Sequence, residues 1–460
     1  MINLSKKKLE NKSIIINKNN FINYKFLEKK SYDVRKLIKE NSLVIFFSNN
    51  GIESLILYYA LLKHHTTILL LDDTLSTKES IKYIEDYKPG YILYPKKNNY
   101  KINNFQIIYK NKSFFLSKNK KDLDYRLNDN IKFLLTTSGS TRDPKTAKIT
   151  LDSIKKNTES IVKYLKITSS DRTITTMPLN YSYGLSVINS HFMAGASIIP
   201  NDISIIEKKF WNLAEQNEIT NLNGVPFFYQ ILNRVGLKKL NSLKKIKFLT
   251  QAGGALDKNI FLNLKNHCHK KKILFYLMYG QTEASPRISY IKVNKKLMMP
   301  SIGKALPSGK LYLLQNNKKI NKTNTEGEVA YKGPNIFSGY AKNYKDLNKL
   351  EKIKILNTGD LGFYDEKNNF YISGRKNRTI KMFGYRINLD YVEDIFASKA
   401  SDVATVFYKE KIYVFSEKKI NNLAIANIPK NKIINYVLDK LPKLSNDKID
   451  YKKLETQIND

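Results

Sequence analysis

The chain of 460 residues is longer than one ordinary hydrophobic core accommodates, and its 42% hydrophobic content supplies material for two or three structural units. A single cysteine, Cys268, excludes an internal disulfide framework; no apolar run reaches the length of a bilayer span; and the lysine-rich start leads into no secretory-type apolar stretch, so a cytoplasmic location is expected. The excess of 79 Lys+Arg over 41 Asp+Glu, +38 in all, is scattered through nearly every segment, which argues against specific nucleic-acid binding and leaves affinity for acidic partners open.

Strand-like 42–47, helix-like 52–63, strand-like 67–71, helix-like 78–87 and strand-like 91–94 follow in βαβαβ order. Such alternation predicts parallel sheets covered by helices, with ligands gathering at the carboxyl ends of the strands. The next apolar run, Ile131-Lys132-Phe133-Leu134-Leu135, reads as a buried strand. Directly behind it stands Thr136-Thr137-Ser138-Gly139-Ser140-Thr141-Arg142-Asp143-Pro144-Lys145, with five hydroxyls, one glycine and one lysine. Hydroxyls and backbone N–H groups donate to phosphate oxygens and Lys145 adds a positive charge, so the segment reads as a phosphate cradle. A Walker loop would place its second glycine where Pro144 stands; proline has no N–H and fixes φ, which rules against that loop.

The α/β pattern continues through 171–178, 194–200, 219–223 and 246–252, and His191 falls in an apolar helix-like stretch as a packed histidine. From about 288 to 375 short strands broken by glycine and proline, such as 309–314 and 327–331, predict a small β subdomain. Mixed α and β signals follow, which puts a boundary near 376 and divides the chain into 1–376 and 377–460. His64-His65 and His267-Cys268-His269 lack the second ligand pair of a zinc site.

Residues 136–145 resemble the S/T-S-G-S/T-T-G-x-P-K signature of the adenylate-forming superfamily, which includes acyl-CoA synthetases, nonribosomal peptide synthetase adenylation domains and beetle luciferases. Further matches follow in order: Tyr279-Gly280-Gln281-Thr282-Glu283 resembles Y-G-x-T-E, and Thr358-Gly359-Asp360 resembles T-G-D. Gly374-Arg375 with Lys381, Gly384 and Arg386 resembles G-R…K…G-x-R, and 441–450 resembles L-P-x-x-x-N-G-K-x-D. The resemblance implies an α/β fold: a large N-terminal domain of two parallel-sheet subdomains plus a small distorted β-barrel, then a small mobile α+β C-terminal domain.

It also implies an ATP- and Mg2+-dependent ligase that joins a small-molecule carboxylic acid to AMP and passes the acyl group to a thiol, either CoA or the phosphopantetheine of an acidic acyl or peptidyl carrier protein. By this resemblance Lys448 bridges the acid carboxylate and the α-phosphate, Thr282 contacts the α-phosphate, and Glu283 holds Mg2+ through a hard oxygen. Thr137, Ser138, Gly139, Ser140, Thr141 and Lys145 hold phosphates. Gly253, Gly254, Ala255, Tyr279, Gly280 and Gln281 surround the base, Asp360 takes the ribose hydroxyls, and Arg375 contacts the ribose or phosphate side. Tyr181, Ser182, Gly184, Gly224, Val225 and Pro226 line the acyl pocket, Gly384 the thiol channel, and Asn377 is the hinge. Arg142, Asn377 and Asp447 depart from the family pattern, and Ser182 stands where amino-acid-activating relatives place an aspartate. Two other readings are an amino-acid adenylation protein loading a carrier and a nucleotide-binding regulator with impaired turnover.

Overall fold

A computed structural model of the chain describes residues 13–17, 20–98, 100, 102–121, 125–137, 145–382, 385–397, 402–420, 428–444 and 448–459. Two compact units emerge, one of 1–310 with 332–356 and the other of 311–331 with 357–460. The division into 1–376 and a mobile 377–460 domain remains a proposal.

Two sheets form the first unit. In one, the strand order is Tyr340–Ala341, Thr146–Thr150, Ile131–Thr136, Thr67–Asp72, Leu43–Ser48, Tyr91–Pro95, Phe114–Asn119, Phe105–Lys110. Its central strands are parallel and its flanking strands antiparallel. All of Leu43–Ser48 is buried, as expected of a strand covered on both faces. The second sheet runs Lys304–Ala305, Arg287–Lys292, Leu274–Gly280, Phe248–Gln251, Asn221–Gly224, Arg172–Ile174, Ser197–Ile199, Ser13–Asn17, Asn20–Asn23, again with a parallel centre.

Helices Ile52–Lys63 and Ser182–Ala194 are buried nearly all round because one packs on each sheet and the two meet each other. The Tyr58 hydroxyl donates to Asn189 Oδ1 at 2.6 Å, and the rings of Tyr59 and Phe192 lie 5.5 Å apart. Lys132, inside its strand, sends its ammonium to the carbonyls of Leu61, His64 and Thr66 at 2.8, 2.6 and 3.1 Å, capping the end of Ile52–Lys63. Gly195, at φ 69°, ends the other helix in the left-handed conformation.

Ile131–Thr136 pairs antiparallel with Thr146–Thr150, Thr136 opposite Thr146. The hydroxyl-rich segment therefore joins two strands, whereas a Walker loop opens a helix; topology and Pro144 agree. The hairpin of Phe105–Lys110 and Phe114–Asn119 went unread, since Lys, Gln and Asn interrupt its apolar residues.

In the second unit Lys318–Ile320, Lys310–Gln315, Gly327–Lys332, Leu356–Tyr364 and Phe370–Arg375 form one sheet in that order. A ribbon of Thr379–Met382 and Tyr385–Asn388 follows, then a sheet of Val403–Tyr408, Lys411–Ser416 and Ile433–Val437. Helices Leu389–Ala397 and Tyr451–Asn459 pack on that sheet, sharing cores with Val414 and Val406.

Candidate active site

In the first unit, the cradle's base is described while 138–144, with Ser138, Gly139, Ser140, Thr141 and Arg142, lie outside the described residues. The Thr137 N–H and hydroxyl both donate to the Lys145 carbonyl at 3.4 Å, drawing the two ends together. Lys145 Nζ sits 3.9 Å from the centre of the Tyr340 ring, a cation–π contact. The Tyr340 hydroxyl donates to Glu283 Oε1 at 2.7 Å. Burial, and then the Glu283 charge, push the Tyr340 phenol well above its ordinary range, so it remains a donor. Tyr340 is held by its strand pairing with Ala147, and Glu283 by its carbonyl, which accepts from the Phe337 N–H at 2.8 Å. Tyr340 therefore joins the predicted lysine to the predicted magnesium carboxylate. Nothing local in Ser338-Gly339-Tyr340 marks it, since the strand pairing alone brings it there.

The next contact leads to the predicted acyl pocket, where the Thr282 hydroxyl donates to Ser182 Oγ at 3.3 Å. Ser182 opens its helix and Tyr181 is the residue before it. Gly253 has φ 91°, and a Cβ there would lie 2.5 Å from the Tyr181 hydroxyl and 3.3 Å from a Val225 methyl. At Gly254 a Cβ would stand 3.2 Å from Pro226. Tyr181, Val225, Pro226, Gly253 and Gly254 thus come together. Gly184 and Gly224 serve close packing, against the Pro178 carbonyl and the Phe228 ring respectively. Ala255 is exposed, and Tyr279 and Gln281 are half-buried. Gly280 leaves room for the Pro286 carbonyl, which would be 2.0 Å from any Cβ.

Sequence reasoning missed Arg287. Tyr279 pairs with Ser289 and Gly280 with Arg287, so Ile288 is the extra residue of a β-bulge. The bulge turns Arg287 onto the face shared by Met278 and Tyr290, against helices Leu151–Leu165 and Ser182–Ala194. Arg287 is 2% exposed; its Nη2 donates to Ser186 Oγ at 3.0 Å and its guanidinium carbon lies 4.6 Å from the Tyr183 ring centre. Its Nε reaches no acceptor among the described residues. Burial pushes the Tyr164 phenol up to about 12 against the lowering field and hydrogen bond of Arg287, and burial likewise raises Tyr181 against that field. The visible signal was a basic residue four places past Glu283 in an otherwise strand-like run.

In the second unit Asp360 and Arg375 stand opposite each other on neighbouring strands, with Arg375 Nε 3.3 Å from Asp360 Oδ1. The Asp360 N–H donates to the Thr358 hydroxyl at 3.2 Å, and Asp360 is buried while Arg375 is exposed. Asn377 is exposed in the turn Lys376–Arg378, and Gly384 lies outside the described residues. Lys448 ends a narrow loop: its carbonyl accepts from the Leu444 N–H at 2.8 Å, Lys443 bridges to Ile449, and the Asp450 N–H donates to the Pro442 carbonyl at 2.9 Å. Residues 445–447, with Asp447, lie outside the described residues.

Residues 10–341 match the family model described as AMP-binding enzyme. The oxalate–CoA ligase of Saccharomyces cerevisiae is 26% identical over 389 residues, covering 79% of this chain and 69% of that protein. The D-alanine–D-alanyl carrier protein ligase of Bacillus licheniformis is 24% identical over 361 residues, covering 71% of each. O-succinylbenzoate coenzyme A synthetase from Bacillus subtilis, solved with AMP, superposes with a TM-score of 0.79 at 20% identity, covering 99% of this chain and 97% of that one. The same enzyme has been solved with ATP and magnesium ion, matching with a TM-score of 0.77, 20% identity and coverages of 97% and 96%. With the family model spanning most of the chain and this α/β architecture matching along nearly its whole length, the chain belongs to the AMP-binding enzymes of the adenylate-forming superfamily.

Proposed function

We propose that this protein is an acid–thiol ligase that converts a carboxylic acid and ATP to an acyl-adenylate and diphosphate, then transfers the acyl group to CoA or to a carrier-protein phosphopantetheine. The observation that carries this reading is the run of contacts from Lys145 through Tyr340 to Glu283, and from the adjoining Thr282 to Ser182. The reading is supported by Lys145, the Glu283 carboxylate and the start of helix Ser182–Ala194 lying along one run of contacts. A carboxylate is a poor acylating agent because its leaving group would be oxide; AMP is a far better one. The barrier is the approach of one anion to another, so the chain's task is positioning and cationic stabilisation.

Lys145 and the cradle hydroxyls bind the outgoing phosphates, Thr282 the α-phosphate, and Tyr279 with Gly253–Ala255 the adenine. Asp360 takes the ribose and Arg375 its phosphate side. The donor set fits magnesium: Glu283 offers one hard carboxylate, and among the described residues no cluster of three or more His, Cys, Asp or Glu forms an all-protein cage. Bound there with the nucleotide phosphates, Mg2+ supplies charge neutralisation. Lys448 draws the acid carboxylate to the α-phosphate; two unit charges about 4 Å apart at an effective dielectric of ~20 interact by roughly 4 kcal/mol. For thiol transfer, 377–460 moves as a body about Asn377, withdraws Lys448 and presents Gly384, where the missing side chain lets a pantetheine arm pass.

Hydroxylamine trapping across a panel of acids, with diphosphate release in parallel, tests this. Lys448→Ala is expected to lower trapping by about 1,000-fold. Tyr340→Phe, which keeps the ring under Lys145 and removes the bond to Glu283, is expected to lower it by about 10-fold and raise the Mg2+ requirement. Equal trapping by Lys448→Ala and the intact protein removes Lys448 from the chemistry; no acid-dependent diphosphate with any acid favours the regulator.

A further inference from the structure

Resting on that proposed acid activation, the geometry of Arg287 goes further and indicates which acid is taken. We propose that Arg287 receives a second carboxylate, so that the substrate is a short dicarboxylic acid. The other deeply buried cations are occupied by the fold itself. Lys132 meets three backbone carbonyls, Lys148 meets those of Asp346 and Lys349, and Lys265 meets those of Lys295 and Leu297. Arg378, in the second unit, meets two carboxylates. Arg287 has neither: its contacts are the hydroxyls of Ser186 and Tyr164 and the face of Tyr183, and no Asp or Glu among the described residues pairs with it.

A guanidinium at 2% exposure whose Nε is unanswered and which meets only hydroxyls and a ring is a charge taken out of water with no anion to balance it, a state that an anionic partner relieves. Guanidinium and carboxylate match in shape, two parallel N–H groups meeting two oxygens, which makes a carboxylate the natural occupant. Its place in the fold says which molecule brings that group. Ser186 stands one helical turn beyond Ser182, about 6 Å along the axis. Ser182 bonds Thr282, which in the proposed function meets the α-phosphate that the reacting carboxylate approaches, and Ser186 bonds Arg287. Two polar stations one turn apart on one helix face suit a molecule with carboxylates at both ends and a few carbons between. Tyr183, Met278 and Tyr181 provide the apolar and aromatic wall beside them.

The test uses the full chain with ATP, Mg2+ and hydroxylamine, comparing acids of matched length: succinate against butyrate, and glutarate against valerate. The intact protein is expected to favour the dicarboxylate by about 100-fold in kcat/KM, because the site's buried donors go unanswered by a methyl group. Arg287→Gln is expected to lose that preference mainly through the diacid's KM, and Arg287→Lys to restore part of it. If the intact protein uses butyrate or valerate as well as their diacids, this inference falls and acid activation stands. If neither class gives hydroxamate while another acid of the panel does, the inference falls and acid activation stands; if no acid of the panel does, both fall. The intact protein's ratio decides even if Arg287→Gln fails to fold.

Discussion

At the residue scale, His191 and Arg287 are both buried basic side chains, and their neighbours differ. His191 is 1% exposed, and both ring nitrogens are engaged: Nδ1–H donates to the Val187 carbonyl at 2.7 Å and Nε2 accepts from Asn221 Nδ2 at 3.1 Å. Burial pushes its pKa down to about 4 from an ordinary 6.5. The unfolded chain takes up this proton first, so the folded state loses stability as pH falls from about 6.5 toward 4 and gains nothing from this group above 6.5. At pH 5 the loss is about 2 kcal/mol by linkage. Denaturant melts at pH 7.5 and pH 5 should show His191→Gln losing less between the two than the intact protein; equal losses would assign the acid sensitivity elsewhere. Arg287, in contrast, has a hydroxyl and an aromatic face beside it and no carboxylate among the described residues.

At the scale of elements, the chain placed its central strands and helices where local pattern predicts. The helix read over 52–63 is Ile52–Lys63, and the strands read over 67–71 and 91–94 are Thr67–Asp72 and Tyr91–Pro95. Long apolar runs bounded by turn residues have one good solution, burial between helices and sheet. Register is another matter. The bulge that aims Arg287 at Ser186 depends on which residue of Leu274–Gly280 faces it, and no local pattern carries that pairing. Gly280 holds the bulge closed, since a Cβ would stand 2.0 Å from the Pro286 carbonyl and 3.1 Å from Arg287 Cα. Gly280→Ala is expected to cost about 1–3 kcal/mol of stability through overpacking. It should also reduce adenylation, because the strain falls between Thr282 and Arg287. Calorimetry paired with diphosphate release checks this, and an unchanged melting temperature would count against it.

At the scale of the whole molecule, each unit has its own apolar clusters, so separate stabilities are expected. Arg378 concentrates the polar part of the second: it pairs with Asp390 and with Glu393 at 2.5 Å, and lies 4.0 Å from the Tyr451 ring centre. The Tyr451 hydroxyl in turn donates to Glu393 Oε2 at 2.9 Å. Removing the cation leaves mostly buried carboxylates unpaired, which costs about 3–5 kcal/mol. Hydrogen exchange of Arg378→Met should therefore quicken in Leu389–Ala397 and Tyr451–Asn459 while Leu43–Ser48 keeps its protection. Faster exchange in all three would show that the units unfold as one.

Read as sequence, the chain determined its α/β class and its family through ordered motifs from 136 to 450, because local periodicity and short motifs are written in neighbouring residues. Tertiary structure alone decided that Tyr340 joins Lys145 to Glu283, that Ser182 meets Thr282, and that Arg287 is turned inward without an anion. Those contacts depend on strand pairing and on the meeting of helices across long separations in the chain. There packing and register, not the properties of any one segment, select the neighbour.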